Sequence, residues 1–201
     1  MMLKNVFLWV VSAGMLLSSC TKDPLADLSD IDSQVFITNM DKQVNFKQYK
    51  TFSVVDSVEV IRDNRASSAL TSLDQDMLIR IVTNMEKLGY SYVAPNKTPD
   101  VGISLSRVTN TSVNVVAQPS YGYWGYGGGY GYGYPSYYQY YQTSESYWSM
   151  SMLDLKNPDT VNNKVKIIWN AQIRGGGLGN TDYVDQMVDA VFGQSTYLKN
   201  N

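Results

Sequence analysis

Cys20 is the only thiol in a 201-residue chain that contains no histidine. Zinc centres, histidine-based triads and most general acid/base arrangements need imidazole or thiolate, so these classes of chemistry are excluded at once. Carboxylate, tyrosine and lysine chemistry remain, but the 18 acidic residues form no paired catalytic motif. The run Arg174-Gly175-Gly176-Gly177-Leu178-Gly179 invites a nucleotide-binding reading and does not support it. It lacks the Gly-Lys-Ser/Thr of a P-loop, its spacing misses Gly-x-Gly-x-x-Gly, and too little chain follows for a βαβ unit. A flexible connection is the expectation there. These absences point to a protein that is not an enzyme and uses no metal and no cofactor. The alternative of another class is a carboxylate-dependent hydrolase acting on envelope polymer. It would need two carboxylates facing each other across a cleft, about 5 to 9.5 Å apart in the glycosidase case.

The stretch around the thiol resembles a bacterial lipobox: Leu17-Ser18-Ser19-Cys20 follows a positive Lys4 and an apolar run from Val6 to Leu17. That run is shorter than the ~20 residues that span a bilayer, which makes residues 1–19 a signal peptide. Small residues at Ser18 and Ser19 seat the chain in a peptidase, and Cys20 supplies the sulfur for diacylglycerol transfer in signals of this kind. An ordinary secretory signal or an uncleaved anchor leaves the placement of the one cysteine unexplained. Stable anchoring takes more than one acyl chain, which a triacylated Cys20 provides. By the same resemblance, Thr21 in place of aspartate implies the outer membrane. Lys22-Asp23 partly matches signals for the cell surface but is interrupted by Pro24, so the periplasmic and surface faces both stay open. Residues 20–33, with Asp23, Asp27, Asp30 and Asp32 and little apolar pattern, read as a solvated tether.

A second stretch could bind rather than react. Between Ala117 and Gln142 lie ten of the 16 tyrosines, seven glycines and no charge. Tyr121, Tyr123, Trp124, Tyr126, Tyr130, Tyr132, Tyr134, Tyr137, Tyr138, Tyr140 and Tyr141 are the candidate binding residues. Glycine disfavours helix and strand here, so the tract reads as a disordered low-complexity insertion. Rigid amphipathic rings interleaved with glycine also make an adaptable surface for an envelope glycan or protein partner. Nucleic acid is excluded, because the net charge is −2 and the tract has no arginine to accompany its rings.

The elements that must carry these segments form one domain over residues 34–201, with the insertion at 117–142. Val35-Phe36-Ile37-Thr38 and Thr51 to Val55 read as strands. Leu73, Met77, Leu78, Ile81, Val82, Met85 and Leu88 recur at helical spacing, with Ser72 and Gln75 as a capping box and Gly89 as the stop. Val101, Ile103 and Leu105 alternate with Gly102, Ser104 and Ser106 as in a half-buried strand, and the phase slip after Arg107 suggests a bulge or bend. Trp148, Met150 and Met152 share a strand face. Asn157-Pro158-Asp159 reads as a loop, and Val165, Ile167, Trp169, Ala171 and Ile173 read as one face of a hairpin partner. A last helix spans roughly 182–192, with Val184, Met187, Val188, Val191 and Phe192 on one face and Thr181 as its cap.

Asp41 followed by Phe46-Lys47-Gln48-Tyr49-Lys50-Thr51-Phe52 resembles the opening of the domain-of-unknown-function 4136 family of bacterial lipoproteins. Gly89-Tyr90, Pro99-Asp100-Val101 and Ile168-Trp169-Asn170-Ala171 sit where that family carries comparable residues. The resemblance covers about Asp41 to Phe192 and brings no catalytic residue with it. The fold expected is α+β: a mainly antiparallel sheet of about four to six strands with two amphipathic helices on one face. The other face, rich in Ser, Thr and Lys, should meet water.

Overall fold

The computed structural model describes residues 28–62, 65–109, 146–162 and 164–200, and the backbone of strands 114–118 and 137–141. The strands are β1 (Val35–Met40), β2 (Thr51–Val54), β3 (Val58–Arg62), β4 (Arg65–Ala69), β5 (Ser91–Tyr92), β6 (Val101–Thr109), β7 (Asn114–Gln118), β8 (Tyr137–Tyr141), β9 (Tyr147–Asp159) and β10 (Lys164–Arg174). The helices are α1 (Ser72–Lys87) and α2 (Val184–Gln194). The class is α+β, and the sheet has more strands than expected; it is mixed, with antiparallel pairing along β1-β10-β9-β6 and in β3-β4, and shorter parallel pairings of β2 with β5 and β6 and of β3 with β6. Eight of the described strands join in the order β1-β10-β9-β6-β2-β5, with β3 also paired to β6 and β4 paired to the far side of β3. β2 and β3 both run parallel to β6, one after the other along the same edge of it. β7 and β8 form a separate antiparallel pair.

Helix α1 follows from its sequence with one correction. The cap is Thr71, not Ser72: its hydroxyl accepts from Asp74 N, and the Asp74 carboxylate accepts from Thr71 N and Oγ1. A charged acceptor at Asp74 displaces the neutral Gln75, and Leu73 stays free to face the core. Gly89, at φ 94°, closes the helix in a Schellman turn. Tyr90 N donates to Met85 O and Gly89 N to Glu86 O. The predicted face is buried at Leu73, Met77, Leu78, Ile81, Met85 and Leu88, with Val82 partly covered. At about 1.5–3 kcal/mol per large apolar side chain, this face contributes on the order of 10 kcal/mol of gross burial. On α2 all five predicted residues are buried. The 3-10 turn Thr181–Tyr183 that leads into it is capped by Asn180, which accepts from Asp182 N, and Tyr183, at the N-cap of α2 itself, makes no side-chain cap bond, so Thr181 is not the cap.

The two long strands depart from their expected phase. β9 continues through Asn157-Pro158-Asp159, and the turn falls at 160–162, where Asp159 accepts from Asn162 N. Between Ile167 and Trp169 the β10 register shifts by one residue against β9. Since strand side chains alternate, the extra residue puts Ile167 on the side of its partner Leu153, opposite to Trp169, Ala171 and Ile173. β6 pairs with β9 without interruption from Val101↔Asp154 to Val108↔Tyr147, and the phase slip falls beyond that pairing. Residues 110–113 lie outside the described residues. On the serine-bearing sheet face Ser53, Ser106 and Ser151 are buried in the wide sheet, while Ser104 and Ser149 keep partial exposure.

The triple glycine is an ordered seat rather than a slack connection. Gly176 N donates to Ser33 Oγ, and Gln34 Nε2 donates to Gly176 O. This docks the turn at residues 30–33, the end of the acidic stretch, onto the sheet. Gly175 has φ 108°, and a Cβ there would lie 2.3 Å from Ser33 O. Only glycine permits that approach. The C-terminal residues are fixed in the same way, by Trp169 Nε1 on Ser195 Oγ, Tyr90 Oη on Leu198 O and Asn200 N on Leu88 O.

Candidate functional site

The densest polar constellation gathers around the Phe46 to Phe52 segment. Asn45 caps a turn of 3-10 helix at Phe46–Gln48 and so aims Phe46 and Tyr49 inward. Tyr49 is fully buried, and its hydroxyl donates to Asp154 Oδ2 at 2.9 Å. Asp154 also accepts from Lys156 N, Asn157 N and Asn157 Nδ2. Burial and then the Asp154 carboxylate push the Tyr49 phenol far above its ordinary pKa. Asp100 accepts from Lys50 N at 2.6 Å and Thr51 N at 3.1 Å, while Asp100 N donates to Thr51 Oγ1 at 2.9 Å. Burial raises the Asp100 pKa, but those two amides and Lys156 Nζ, 3.5 Å away, override it and hold the group below its usual range. Asn200 Nδ2 donates to Tyr49 O, and Lys50 Nζ donates to Asn200 Oδ1. Tyr49, Lys50 and Thr51 are thus turned to structural partners.

A second cluster joins the helices. Arg80 forms two bonds to Asp189 and lies 3.2 Å from Asp185, and Asn84 Nδ2 donates to Asp189 Oδ1 at 2.7 Å. The Arg80 guanidinium, helped by Asn84, holds the Asp189 carboxyl below its usual range. An open cleft of about 390 Å³ lies beside this cluster, with Asp76, Thr83, Asp182 and Asp185 on its walls. In a third cluster Arg107 lies over the Trp148 ring, 5.6 Å from its centroid, with its terminal nitrogen 3.7 Å from the buried Asp74.

The carboxylates the fold brings together are engaged: Asp100 by amides, Asp154 by Tyr49 and Asn157, and Asp189 by Arg80 and Asn84. Among the described residues, the carboxyls whose pKa the surroundings shift, at Asp41, Asp100, Asp159 and Asp189, are all shifted down. A glycosidase general acid needs the opposite shift. No group of three or more metal-ligating side chains occurs among the described residues.

Of the residues singled out from the sequence, Cys20 and Tyr121, Tyr123, Trp124, Tyr126, Tyr130, Tyr132 and Tyr134 lie outside the described residues. Tyr137, Tyr138, Tyr140 and Tyr141 belong to β8, where Tyr137 pairs with Gln118 and Tyr141 with Asn114. The tract therefore carries strand pairing at its ends, contrary to the expectation that glycine would exclude it. The glycines stop at Gly133, and the tyrosine-rich end that follows has strong strand propensity. Asp100, Asp154 and Asn200, the partners of the Tyr49 segment, were not anticipated as such. An isolated aspartate at the end of the apolar run Met150 to Leu153 was the available signal for Asp154.

A mixed sheet with two helices defines a structural class rather than a reaction. The family sequence profile of the domain of unknown function DUF4136 matches residues 37–195, and the chain belongs to that family. A DUF4136 family protein from Bacteroides thetaiotaomicron, whose crystal structure is known, is 28% identical, with a TM-score of 0.65 over 85% of this chain and 100% of that one. The PelC dodecamer from Paraburkholderia phytofirmans aligns over 84% of this chain and 99% of its own, at 8% identity and a TM-score of 0.42. No curated protein matches the chain.

Proposed function

We propose that the protein is a lipid-anchored component of the bacterial outer membrane and a non-enzymatic binding or assembly module. In this reading Cys20 carries the lipid, both helices cover one face of the sheet, and the Tyr/Gly tract contacts an envelope glycan or protein. The observation that carries the non-enzymatic part is the engagement of Asp100, Asp154 and Asp189 by structural partners. For attachment, the support is the sole cysteine directly behind Leu17-Ser18-Ser19. No helix among the described residues is long and apolar enough to cross a membrane, so the lipid supplies the attachment in this account.

Because there is one thiol, the anchor test is unambiguous. Wild-type protein should incorporate labelled acyl chain and partition into the detergent phase, whereas Cys20→Ala should do neither. Equal membrane association of the two proteins, with no label on the wild type, would remove the lipid from the account. For the tract, binding of the intact protein to envelope extracts or a glycan array should be lost when residues 119–136 are replaced by a short Gly/Ser turn. It should also depend little on salt, since the tract has no charge to form ion pairs.

A further inference from the structure

The sheet has three free margins among the described strands, and they are not alike. β5 is only two residues long, and β4 is short and carries Arg65. Brevity and charge are the usual devices that stop a sheet edge from pairing with another chain. β1 has neither. Its six residues, Val-Phe-Ile-Thr-Asn-Met, contain no charge, no proline and no glycine, and no described strand lies on its outer side. Val35, Ile37 and Met40 are 53%, 38% and 39% exposed, so apolar side chains accompany the free backbone.

The hydrogen-bond phase of this edge is defined. Asp41 N donates to Ile168 O, which makes Asp41 a bonded partner of β10; with the register Val35↔Arg174 to Met40↔Trp169, the bonded positions are then 35, 37, 39 and 41. The N–H and C=O groups of Phe36, Thr38 and Met40 therefore point outward. We propose that β1 pairs antiparallel with β1 of a second copy about a two-fold axis at Thr38, joining two sheets into one. In that register Thr38 faces Thr38 of the other copy, and Phe36 and Met40 face each other twice. These are favourable cross-strand combinations, and six backbone hydrogen bonds form from the outward groups. A second copy fits better than an unrelated strand for two reasons. The pattern Phe36-x-Thr38-x-Met40 is complementary to its own reversal, and an uncharged edge opposes nothing in an identical partner.

Full-length protein in its native membrane provides the test. Thr38→Cys places thiols on Cα atoms about 5.5 Å apart across the axis, within disulfide range. Mild oxidation should therefore yield a cross-linked dimer. Ser68→Cys, on the exposed face of β4, should yield none. Thr38→Glu and Thr38→Lys should each abolish the dimer seen by native mass measurement, and co-expression of the two should restore it, because like charges oppose and unlike charges pair at the axis. Thermal unfolding of each variant identifies any that fail to fold. Thr38→Cys cross-linking no better than Ser68→Cys would overturn the proposal, as would a Thr38→Glu protein that folds and keeps the dimer mass. The parent protein serves as a separate control: a cross-link through Cys20 would speak against lipidation and leave this edge pairing untouched.

Discussion

Tyr49→Phe tests whether the segment around Tyr49 is structural. The change removes one hydroxyl and keeps the ring, which is fully buried, so no cavity of consequence forms. What is lost is a 2.9 Å hydrogen bond to the 6%-exposed Asp154. Bonds to charged groups contribute about 1.5–3 kcal/mol. Asp154 keeps three donors from Lys156 and Asn157, including Asn157 Nδ2 at 3.1 Å from the same Oδ2. The lower part of the range, about 1.5–2 kcal/mol, therefore applies. For a domain of this size that is about 3–8 °C in Tm. Denaturant unfolding should show the midpoint fall with the slope unchanged. A Tyr49→Phe, Asp154→Asn double-mutant cycle should show coupling of about 1 kcal/mol or more. A loss below about 0.5 kcal/mol, the level of an ordinary surface substitution, would refute the reasoning and free Tyr49 for another role.

Three further outcomes follow from the same structure. Gly175→Ala should cost about 2 kcal/mol or more, through positive φ and the clash with Ser33 O, whereas Gly179→Ala, with open space at its Cβ, should stay within about 0.5 kcal/mol in chemical denaturation. Replacing residues 119–136 by a four-residue Gly/Ser turn should change stability by less than about 1 kcal/mol, a few degrees in a thermal melt, if the tract lies outside the core. Stability measured against pH should be flat from about 6 to 8, because the chain has no histidine. On the alkaline side, Tyr49 and Tyr90 have folded pKa values raised first by burial. They hold their protons more tightly folded than unfolded, so their contribution is complete below about pH 10 and is lost as pH rises beyond it. On the acid side, the depressed carboxyls of Asp100 and Asp189 contribute fully above their ordinary range near pH 4 and lose that contribution as pH falls through it. A slope between pH 6 and 8 would contradict this account.

What was legible in the sequence is what repeats locally. Both helices announced their buried faces through 3.6-residue spacing, and Gly89 announced the end of α1. The cap missed by one because Thr71-Ser72-Leu73-Asp74-Gln75 offers two overlapping boxes, and only the fold, which buries Asp74 beside Arg107, chooses between them. The parallel pairings of β2 and β3 on β6 leave no local trace, since they depend on partners about 50 residues away. The same distance hid the meaning of the Tyr49 segment. It could be recognised as a string of residues, but its partners Asp100, Asp154 and Asn200 lie 49, 105 and 151 positions away. The β10 bulge was hidden for another reason: Val165, Ile167 and Trp169 can be read as one alternating face, and the apolar doublet Ile167-Ile168, of which Ile168 is the buried member, is the local sign of the residue that is extra relative to β9.

The turn seated on Gly176 sets a limit of reach. If Cys20 carries the proposed lipid, the binding of Ser33 and Gln34 to the glycine loop leaves only residues 21–29 between the anchor and the folded body. Nine residues span at most about 32 Å fully extended. A domain held by the proposed anchor would stay within that reach of the bilayer. Two copies anchored in this way would share a thin layer in which their β1 edges meet far more often than in free solution.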